Sequence, residues 1–126
     1  MDSIQVVDAG PKNIPYSGAL YAGDFIFVSG QIPLDESKQV VGEDIETQTT
    51  FVLEKIEALL AKAGANLSHV VKTTVFLTDM KNFSRMNEAY SKKFKGIYPC
   101  RSCIEVSQLP APVLIEIEAI AYYPKK

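Results

Sequence analysis

The sequence is poor in the residues that mark the most familiar active sites. It has one histidine, His69, and two cysteines, Cys100 and Cys103. No second cysteine pair is present to complete a zinc site. The sequence also lacks a phosphate-binding glycine loop, a Ser-His-Asp set and a dinucleotide-binding fingerprint. No metal or cofactor is therefore expected from its motifs, and the chemistry has to be argued from individual strands.

Clustered basic residues and long apolar runs are missing as well. The net charge is −2 over 126 residues, and the 13 Lys and Arg residues are scattered, which argues against a nucleic-acid interface. No apolar run reaches the length of a membrane span, and the first residues do not form a secretory signal. With two thiols and no such signal, we expect a reducing compartment and a cytoplasmic location, with an organelle left open.

The two cysteines form a C-x-x-C pair, a spacing that invites a redox interpretation. In a thioredoxin-like site the pair lies at a helix N-terminus, whereas here the segment that follows Cys100 alternates as a strand does. Residues three apart on a strand face opposite ways. We therefore expect no working dithiol at Cys100 and Cys103.

Hydrophobic periodicity predicts one domain, residues 1–126, with the element order β-β-β-α-β-α-β-β. A helical stripe runs over 44–63 and ends at Gly64. A second helix starts near a cap at Asp79 or Asn82 and ends before Gly96 and Pro99. The predicted strands are 4–7, 16–21, 25–32, 70–77, 101–107 and 113–123.

Each predicted helix has a single apolar stripe, so both helices should cover one face of a mixed β-sheet. Periodicity alone thus predicts a small α/β domain with no third layer. The other sheet face is expected to carry four polar side chains from the last two strands: Arg101, Cys103, Glu116 and Glu118. Because this uncovered face mixes polar and apolar residues, we predict a homo-oligomer that covers it.

Arg101 and Glu116 are the strongest candidates for chemistry. The guanidinium of Arg101 is always charged and fits a carboxylate with two parallel hydrogen bonds. The simpler interpretation, an ion pair with Glu105 or Glu116, stays open. Glu116 could hold a water molecule or accept its proton, or it could be a structural partner of a cation. We expect the two residues to meet in one pocket on the sheet.

Four further residues are weaker candidates. Tyr16 follows a proline-bounded loop, where binding residues are common. Gly30 would let a ligand approach the backbone, or it would mark a bulge. Cys103 is expected to pack beside the arginine rather than act as a nucleophile, since no base is evident nearby. His69 is expected at the surface.

Five segments, in this order, resemble motifs of the RidA family, also called YjgF-like. They are PYS at 15–17, FVSGQIP at 27–33, VKTTVFLTDM at 71–80, RSCIEV at 101–106 and IEIEAIA at 115–121. The resemblance runs over nearly the whole chain. It implies a two-layer α+β sandwich like that of a small chorismate mutase, assembled as a homotrimer with pockets at the subunit interfaces.

The resemblance also implies an enamine/imine deaminase that needs no cofactor. Such enzymes hydrolyse 2-aminoacrylate, 2-aminocrotonate and their imine tautomers to 2-oxo acids and ammonia. By the matching motifs, Arg101 would bind the substrate carboxylate and Glu116 would position the attacking water. The other implied substrate-binding residues are Tyr16, Ser29, Gly30, Phe83, Asn87 and Cys103.

Two positions depart from the family pattern, and two other functions stay open. Gly18 stands where a glutamine is usual, which puts the substrate preference in doubt, and Cys100 stands where alanine is usual. The first alternative is a non-catalytic trimer that binds small carboxylates or acts as a chaperone. The second is an endoribonuclease or translation inhibitor, for which the sequence shows no basic groove.

Overall fold

The computed structural model describes residues 4–125 and has six strands and two α-helices in the predicted order. The strands are β1 (Ile4–Asp8), β2 (Ala19–Ala22), β3 (Phe25–Gln31), β4 (Val70–Leu77), β5 (Cys100–Glu105) and β6 (Ile115–Tyr122). The helices are α1 (Ile45–Ala61) and α2 (Phe83–Lys93). The α+β class and the element order predicted from the sequence are therefore confirmed.

All six strands form one mixed sheet in the order β1-β2-β3-β6-β4-β5. Every neighbouring pair is antiparallel except β4 and β5, which are parallel and are joined through α2. The predicted hairpin of β2 and β3 turns at Gly23, whose φ of 61° suits a residue without a side chain. Strand β5 lies at one edge of the sheet, so only one of its sides is paired.

Both helices lie on one face of the sheet, as their single apolar stripes require. Helix α1 packs on β3 and β6, and it contacts α2 along its side. The buried core alternates along the strands and recurs at helical spacing along α1. Its fully buried larger side chains are Ile26, Ile45, Val52, Leu53, Ile56, Leu60, Val75, Leu77, Met86, Ile115 and Ile117.

The ends of the helices follow local sequence signals. Asp44 caps α1 by accepting a hydrogen bond from the Thr47 amide at 2.9 Å, and Gly64 follows the helix with a φ of 90°. Asp79 accepts from the Lys81 amide at 2.9 Å and so caps a short 3-10 turn. Asn82 precedes α2 without a side-chain capping bond.

The strand β3 contains a bulge beside the candidate site. Val28 pairs with Ala119, but the next paired residue is Gln31, opposite Ile117. Ser29 and Gly30 therefore stand opposite a single residue of β6, which bends the strand and re-aims its side chains. The bulge that the sequence left open at Gly30 is present.

The first predicted strand of the hairpin is shorter than expected, because it begins at Ala19 rather than at residue 16. The Gly18 amide donates to the Asp8 carbonyl at 2.9 Å, and Tyr16 and Ser17 stay in the loop.

Within residues 4–125, neither helix has the length and the apolar character that crossing a bilayer would need.

Candidate functional site

Arg101 lies between the sheet and α2. Its register partner on β4 is Thr73, which is buried under the helices, so the Arg101 side chain also points to the helix side. The guanidinium carbon is 5.0 Å from the ring centre of Tyr90 and 5.5 Å from that of Phe83. Both rings belong to α2. The arginine is thus held by aromatic faces through cation–π contacts.

No carboxylate in the part of the chain that the structure describes forms an ion pair with Arg101. Glu105, one of the two partners considered from the sequence, instead accepts a hydrogen bond from the Met80 amide at 2.7 Å. Glu116, the other, lies on the opposite sheet face. Burying a cation without a counter-charge is costly, so this half-buried guanidinium is suited to a small anion.

Cys103 and Asn87 belong to the same cluster. Cys103 is two residues beyond Arg101 on β5 and faces the same way. Burial raises the pKa of its thiol, and the nearby Arg101 offsets part of that rise. A neutral thiol agrees with the packing role expected for it. Asn87 lies between Phe83 and Tyr90 on one face of α2, and its side-chain oxygen is buried without a hydrogen-bond partner within residues 4–125.

Cys100 is separated from Cys103 by the alternation of the strand. It is exposed on the open side of the sheet, whereas Cys103 is half-buried under α2. The prediction that this C-x-x-C pair faces opposite ways is confirmed.

A second cluster lies on the open side of the sheet. Tyr16, Ser29, Gly30 and Glu116 line one groove of about 710 Å³ at the end of β3. The Glu116 carboxylate lies directly over Gly30: a Cβ placed on that glycine would come within 2.0 Å of Oε2. Four of the predicted site residues are therefore neighbours, and a missing side chain leaves the space for the carboxylate.

The electrostatics of this groove favour a basic Glu116. Burial raises the pKa of Glu116, and the negative charge of Glu118, two residues along the same strand face, raises it further. A carboxylate with a raised pKa is a better proton acceptor near neutral pH than an exposed one.

The expectation that Arg101 and Glu116 share a sheet face is wrong. Arg101 pairs in register with Thr73, whereas Glu116 pairs with Phe76, and adjacent residues of β4 point to opposite faces. Glu116 and Glu118 lie on the open face as predicted, but Arg101 and Cys103 lie under α2. The prediction that Arg101 and Cys103 share one face of β5 is confirmed. The prediction that this is the open face of the sheet is wrong.

Lys55 also lines the Glu116 groove, although it lies on the face of α1 opposite the apolar stripe, where a charged side chain usually extends into solvent. Its Nζ instead donates to the carbonyls of Ile32 and Leu34, at 2.8 and 3.0 Å. Burial lowers its pKa, although Asp35 partly opposes that change. A helical wheel places only the Cβ of a lysine, and the long side chain can reach back to the loop after β3.

Two other predicted positions lie outside both clusters. His69 is half-buried; its Nδ1 accepts from the Asn66 amide at 3.0 Å, and its ring packs on Tyr123. The space above buried Gly18 is occupied by the Asp8 carboxylate, which accepts from the Gly10 amide at 3.1 Å and pairs with Lys62. The glycine therefore does not enlarge the groove.

Within residues 4–125, no group of His, Cys, Asp and Glu residues is arranged to hold a metal ion.

The two-layer fold is suited to a small charged ligand: one side of its sheet carries an arginine that forms no ion pair within residues 4–125, and the other side carries a carboxylate groove. A family model described as Endoribonuclease L-PSP matches residues 9–123. The chain belongs to this family, which is the RidA or YjgF family that its motifs resemble.

Individual relatives support this family assignment. A RutC family protein of Pyrococcus abyssi is 53% identical over 117 residues, which cover 91% of this chain and 92% of that protein. The 2-iminobutanoate/2-iminopropanoate deaminase of Salmonella typhimurium is 41% identical over 110 residues, covering 85% and 86%. The crystal structure of E. coli TdcF with bound serine has a TM-score of 0.84 at 35% identity, covering 97% of this chain and 98% of TdcF.

Proposed function

We propose that this protein hydrolyses short 2-imino acids and their enamine tautomers to 2-oxo acids and ammonia. The substrates would be 2-aminoacrylate with 2-iminopropanoate, and 2-aminocrotonate with 2-iminobutanoate. The observation that carries the proposal is the half-buried guanidinium of Arg101, held between two aromatic rings with no carboxylate partner within residues 4–125. The 41% identity to an enzyme named for this reaction supports it.

Because Arg101 and Glu116 lie on opposite faces of the sheet, a site that uses both residues would have to be formed by two copies of the chain. Arg101 would come from one copy, together with Phe83, Asn87 and Cys103. Glu116 would come from the next copy, together with Tyr16, Ser29 and Gly30. Because these are two different surfaces, the contact would be head-to-tail, and such contacts form a ring when the rotation between neighbouring copies closes. We propose the homotrimer that the family resemblance implies.

The open sheet face has the apolar character that such an assembly needs. Four large apolar side chains on it are each at least 40% exposed: Phe25, Phe27, Ile104 and Tyr122. An apolar surface of this kind, interrupted by charged residues, is typical of contacts between subunits. A second copy of the chain is therefore the expected cover for this face.

In the proposed reaction, the two guanidinium N–H groups of Arg101 donate to the substrate carboxylate and fix the position of the imine carbon. Glu116 accepts a proton from water as the water oxygen bonds to that carbon, and the C=N electron pair moves to nitrogen. The proton then passes from Glu116 to the nitrogen of the carbinolamine. The hydroxyl proton of the carbinolamine then passes through Glu116 to the amine nitrogen, so that ammonia leaves as the C–N bond breaks and the C=O bond forms. Positioning and one proton acceptor suffice, because the imine carbon is already electrophilic.

The test generates 2-iminobutanoate in place with a threonine dehydratase and measures 2-oxobutanoate formation above the spontaneous rate. We expect the wild-type protein to accelerate this step, and Arg101→Ala and Glu116→Ala each to abolish the acceleration. An unchanged rate in Arg101→Ala would remove Arg101 from its proposed role.

Mixing the two inactive variants tests the shared site directly. After co-refolding at equal amounts, about a quarter of the interfaces should combine an intact Arg101 with an intact Glu116, so that about a quarter of the activity returns. Each variant refolded alone is the matched control. If the mixed assemblies stay inactive although both variants co-assemble, the two residues do not serve one site between copies.

The description of the family model as an endoribonuclease gives a second candidate. Its test follows RNA cleavage through successive purification steps of the wild-type protein and Arg101→Ala. Cleavage that stays with the protein and is lost in Arg101→Ala would favour this function. A third candidate, carboxylate binding without turnover, would appear in the dehydratase assay as bound 2-oxobutanoate with no acceleration.

A further inference from the structure

We infer that Thr73 and Tyr90 form a positioning pair for Arg101: their hydrogen bond fixes the aromatic ring that sets where the guanidinium can bind a carboxylate. This inference rests on the proposed function of Arg101 as the carboxylate-binding residue. It concerns two residues that make no proposed contact with the substrate and that act only through Arg101.

The contact between the two hydroxyl groups is short and buried. Thr73 Oγ1 and Tyr90 Oη are 2.6 Å apart, and either hydroxyl can donate. Thr73 is 1% exposed and Tyr90 is 4% exposed, so water does not replace this bond in the folded chain. A buried hydroxyl that loses its only partner is costly, and each residue therefore holds the other in place.

The same pair connects Arg101 to the strand beside it. Thr73 is the register partner of Arg101 across β4 and β5, and Tyr90 reaches from α2 to that position. The guanidinium carbon lies 5.0 Å from the centre of the Tyr90 ring. The ring, the strand and the arginine thus form one connected unit.

This unit restrains the Arg101 side chain, as an ion pair would otherwise do. Arginine has a long side chain with many rotamers, and it is usually held by carboxylate partners. Arg101 has none within residues 4–125, and its one hydrogen-bond contact is a weak one to the Met86 sulfur at 3.9 Å. A fixed aromatic face restrains the cation, and the only hydrogen bond that it makes within residues 4–125 is this weak one from Nη1, so the guanidinium can still donate to a ligand.

The protonation state of Tyr90 agrees with this role. Burial raises the pKa of its phenol, and the Thr73 hydrogen bond and the charge of Arg101 only partly oppose that rise. The ring therefore stays neutral around physiological pH. The contact with Arg101 is then a cation on a neutral aromatic face rather than an ion pair, and it does not compete with an incoming carboxylate.

The experiment removes each hydroxyl group from the full-length protein. We expect Thr73→Val and Tyr90→Phe each to raise KM for 2-iminobutanoate and Kd for the product 2-oxobutanoate about fivefold. The kcat should stay within about twofold, since Glu116 is untouched. The double variant should be no worse than either single variant, because both changes remove the same bond.

Two variants separate positioning from packing. Thr73→Ser keeps the hydroxyl, so its KM and Kd should stay near the wild-type values instead of rising as in Thr73→Val. Thr49→Val makes the same chemical change at another fully buried threonine, one on α1 whose hydroxyl has no partner within residues 4–125. This matched control should leave KM and Kd unchanged.

Arginine-selective ¹⁵N NMR reports on Arg101 without any turnover. The Nε–H signal, assigned with Arg101→Lys, should carry a ring-current shift in the wild-type protein that changes in Thr73→Val and in Tyr90→Phe but not in Thr49→Val. If the wild-type protein lacks deaminase activity, the proposed function fails, whereas this signal and the Kd for 2-oxobutanoate still decide the positioning role. Unchanged KM, Kd and NMR signal in folded Thr73→Val and Tyr90→Phe would overturn the inference.

Discussion

The two clusters of candidate residues differ in how complete they are within one chain. The Arg101 cluster is enclosed between β5 and α2, and its cation is held by the rings of Phe83 and Tyr90. The Glu116 cluster lines an open groove, and its carboxylate lies over the backbone of Gly30. In the proposed reaction the first cluster would hold an anion in a fixed place, and the second would leave a basic group accessible.

This difference assigns the two steps of the proposed reaction to different surfaces. Binding should depend on the helix side of the sheet, and bond breaking should depend on the open side. Changes in the Arg101 cluster should then appear mainly in KM, and changes in the Glu116 cluster mainly in kcat. Each experiment below would break or sharpen that division.

The largest effect is expected at Glu116. Glu116→Gln keeps the size of the side chain but removes the proton acceptor, so kcat should fall by about 10²- to 10⁴-fold while KM changes little. Steady-state kinetics with imine generated in place measures both constants. A large rise in KM at constant kcat would show that the open groove binds substrate rather than activating water.

A smaller effect, on KM rather than on kcat, is expected at Arg101. Arg101→Lys keeps the positive charge but loses the planar fork and its fit to two aromatic faces. KM should rise about 30-fold, corresponding to roughly 2 kcal/mol, the lower end of what a lost charged hydrogen-bond partner costs. Calorimetric titration with 2-oxobutanoate should show the same factor in Kd. Equal binding by both proteins would mean that the guanidinium does not contact the carboxylate.

Gly30→Ala should move Glu116 without unfolding the chain. The added methyl group would overlap the end of the Glu116 side chain, which can rotate away, and the backbone at Gly30 has no left-handed φ to strain. We expect kcat to fall about tenfold through the displaced carboxylate, with the melting temperature nearly unchanged. In a Glu116→Gln background the same change should add nothing. A further tenfold loss there would show that Gly30 acts independently of Glu116.

The smallest expected effect is a shift in pH dependence. Activity should fall with acid as Glu116 becomes protonated, and the midpoint should lie above 4.5, because burial and the charge of Glu118 raise its pKa. Glu118→Gln removes the neighbouring charge and should move that midpoint of kcat to lower pH. An unshifted midpoint would mean that another group controls the acid limb.

The raised pKa of Glu116 also affects stability: activity should rise with pH, whereas the free energy of unfolding should fall. The folded chain binds the Glu116 proton more tightly than the unfolded chain does, so this residue contributes less stability as the pH rises through and above 4.5. Replacing it with glutamine should therefore raise the free energy of unfolding slightly at neutral pH.

Much of this architecture could be predicted from local patterns. The stripe in α1 was predicted to within two residues at each end, because a 3.6-residue repeat with an aspartate cap and a following glycine is unambiguous. The predicted site residues also separate cleanly into the two observed clusters. The face on which Arg101 lies could not be predicted. Alternation fixes which side chains share a face of β5, but only pairing with β4 decides which face that is.

Lys55 shows a second limit of such patterns. A charged residue opposite an apolar stripe is expected in solvent, yet this one donates to two backbone carbonyls of the loop after β3. Its partners are backbone carbonyls 23 and 21 residues away in sequence, and a carbonyl gives no side-chain signal in the sequence. Only the folded chain reveals that their carbonyl groups converge on the lysine.

The aspartate that fills the space above Gly18 has a consequence for how this family can vary. A Cβ on that glycine would come within 2.1 Å of Asp8 Oδ2, so positions 8 and 18 share one volume. In relatives with a longer residue at position 18, the residue aligned with Asp8 should be shorter or turned outward. Substitutions at these two positions should therefore be correlated across the family, although Asp8 ends β1 and Gly18 lies ten residues later, just before β2.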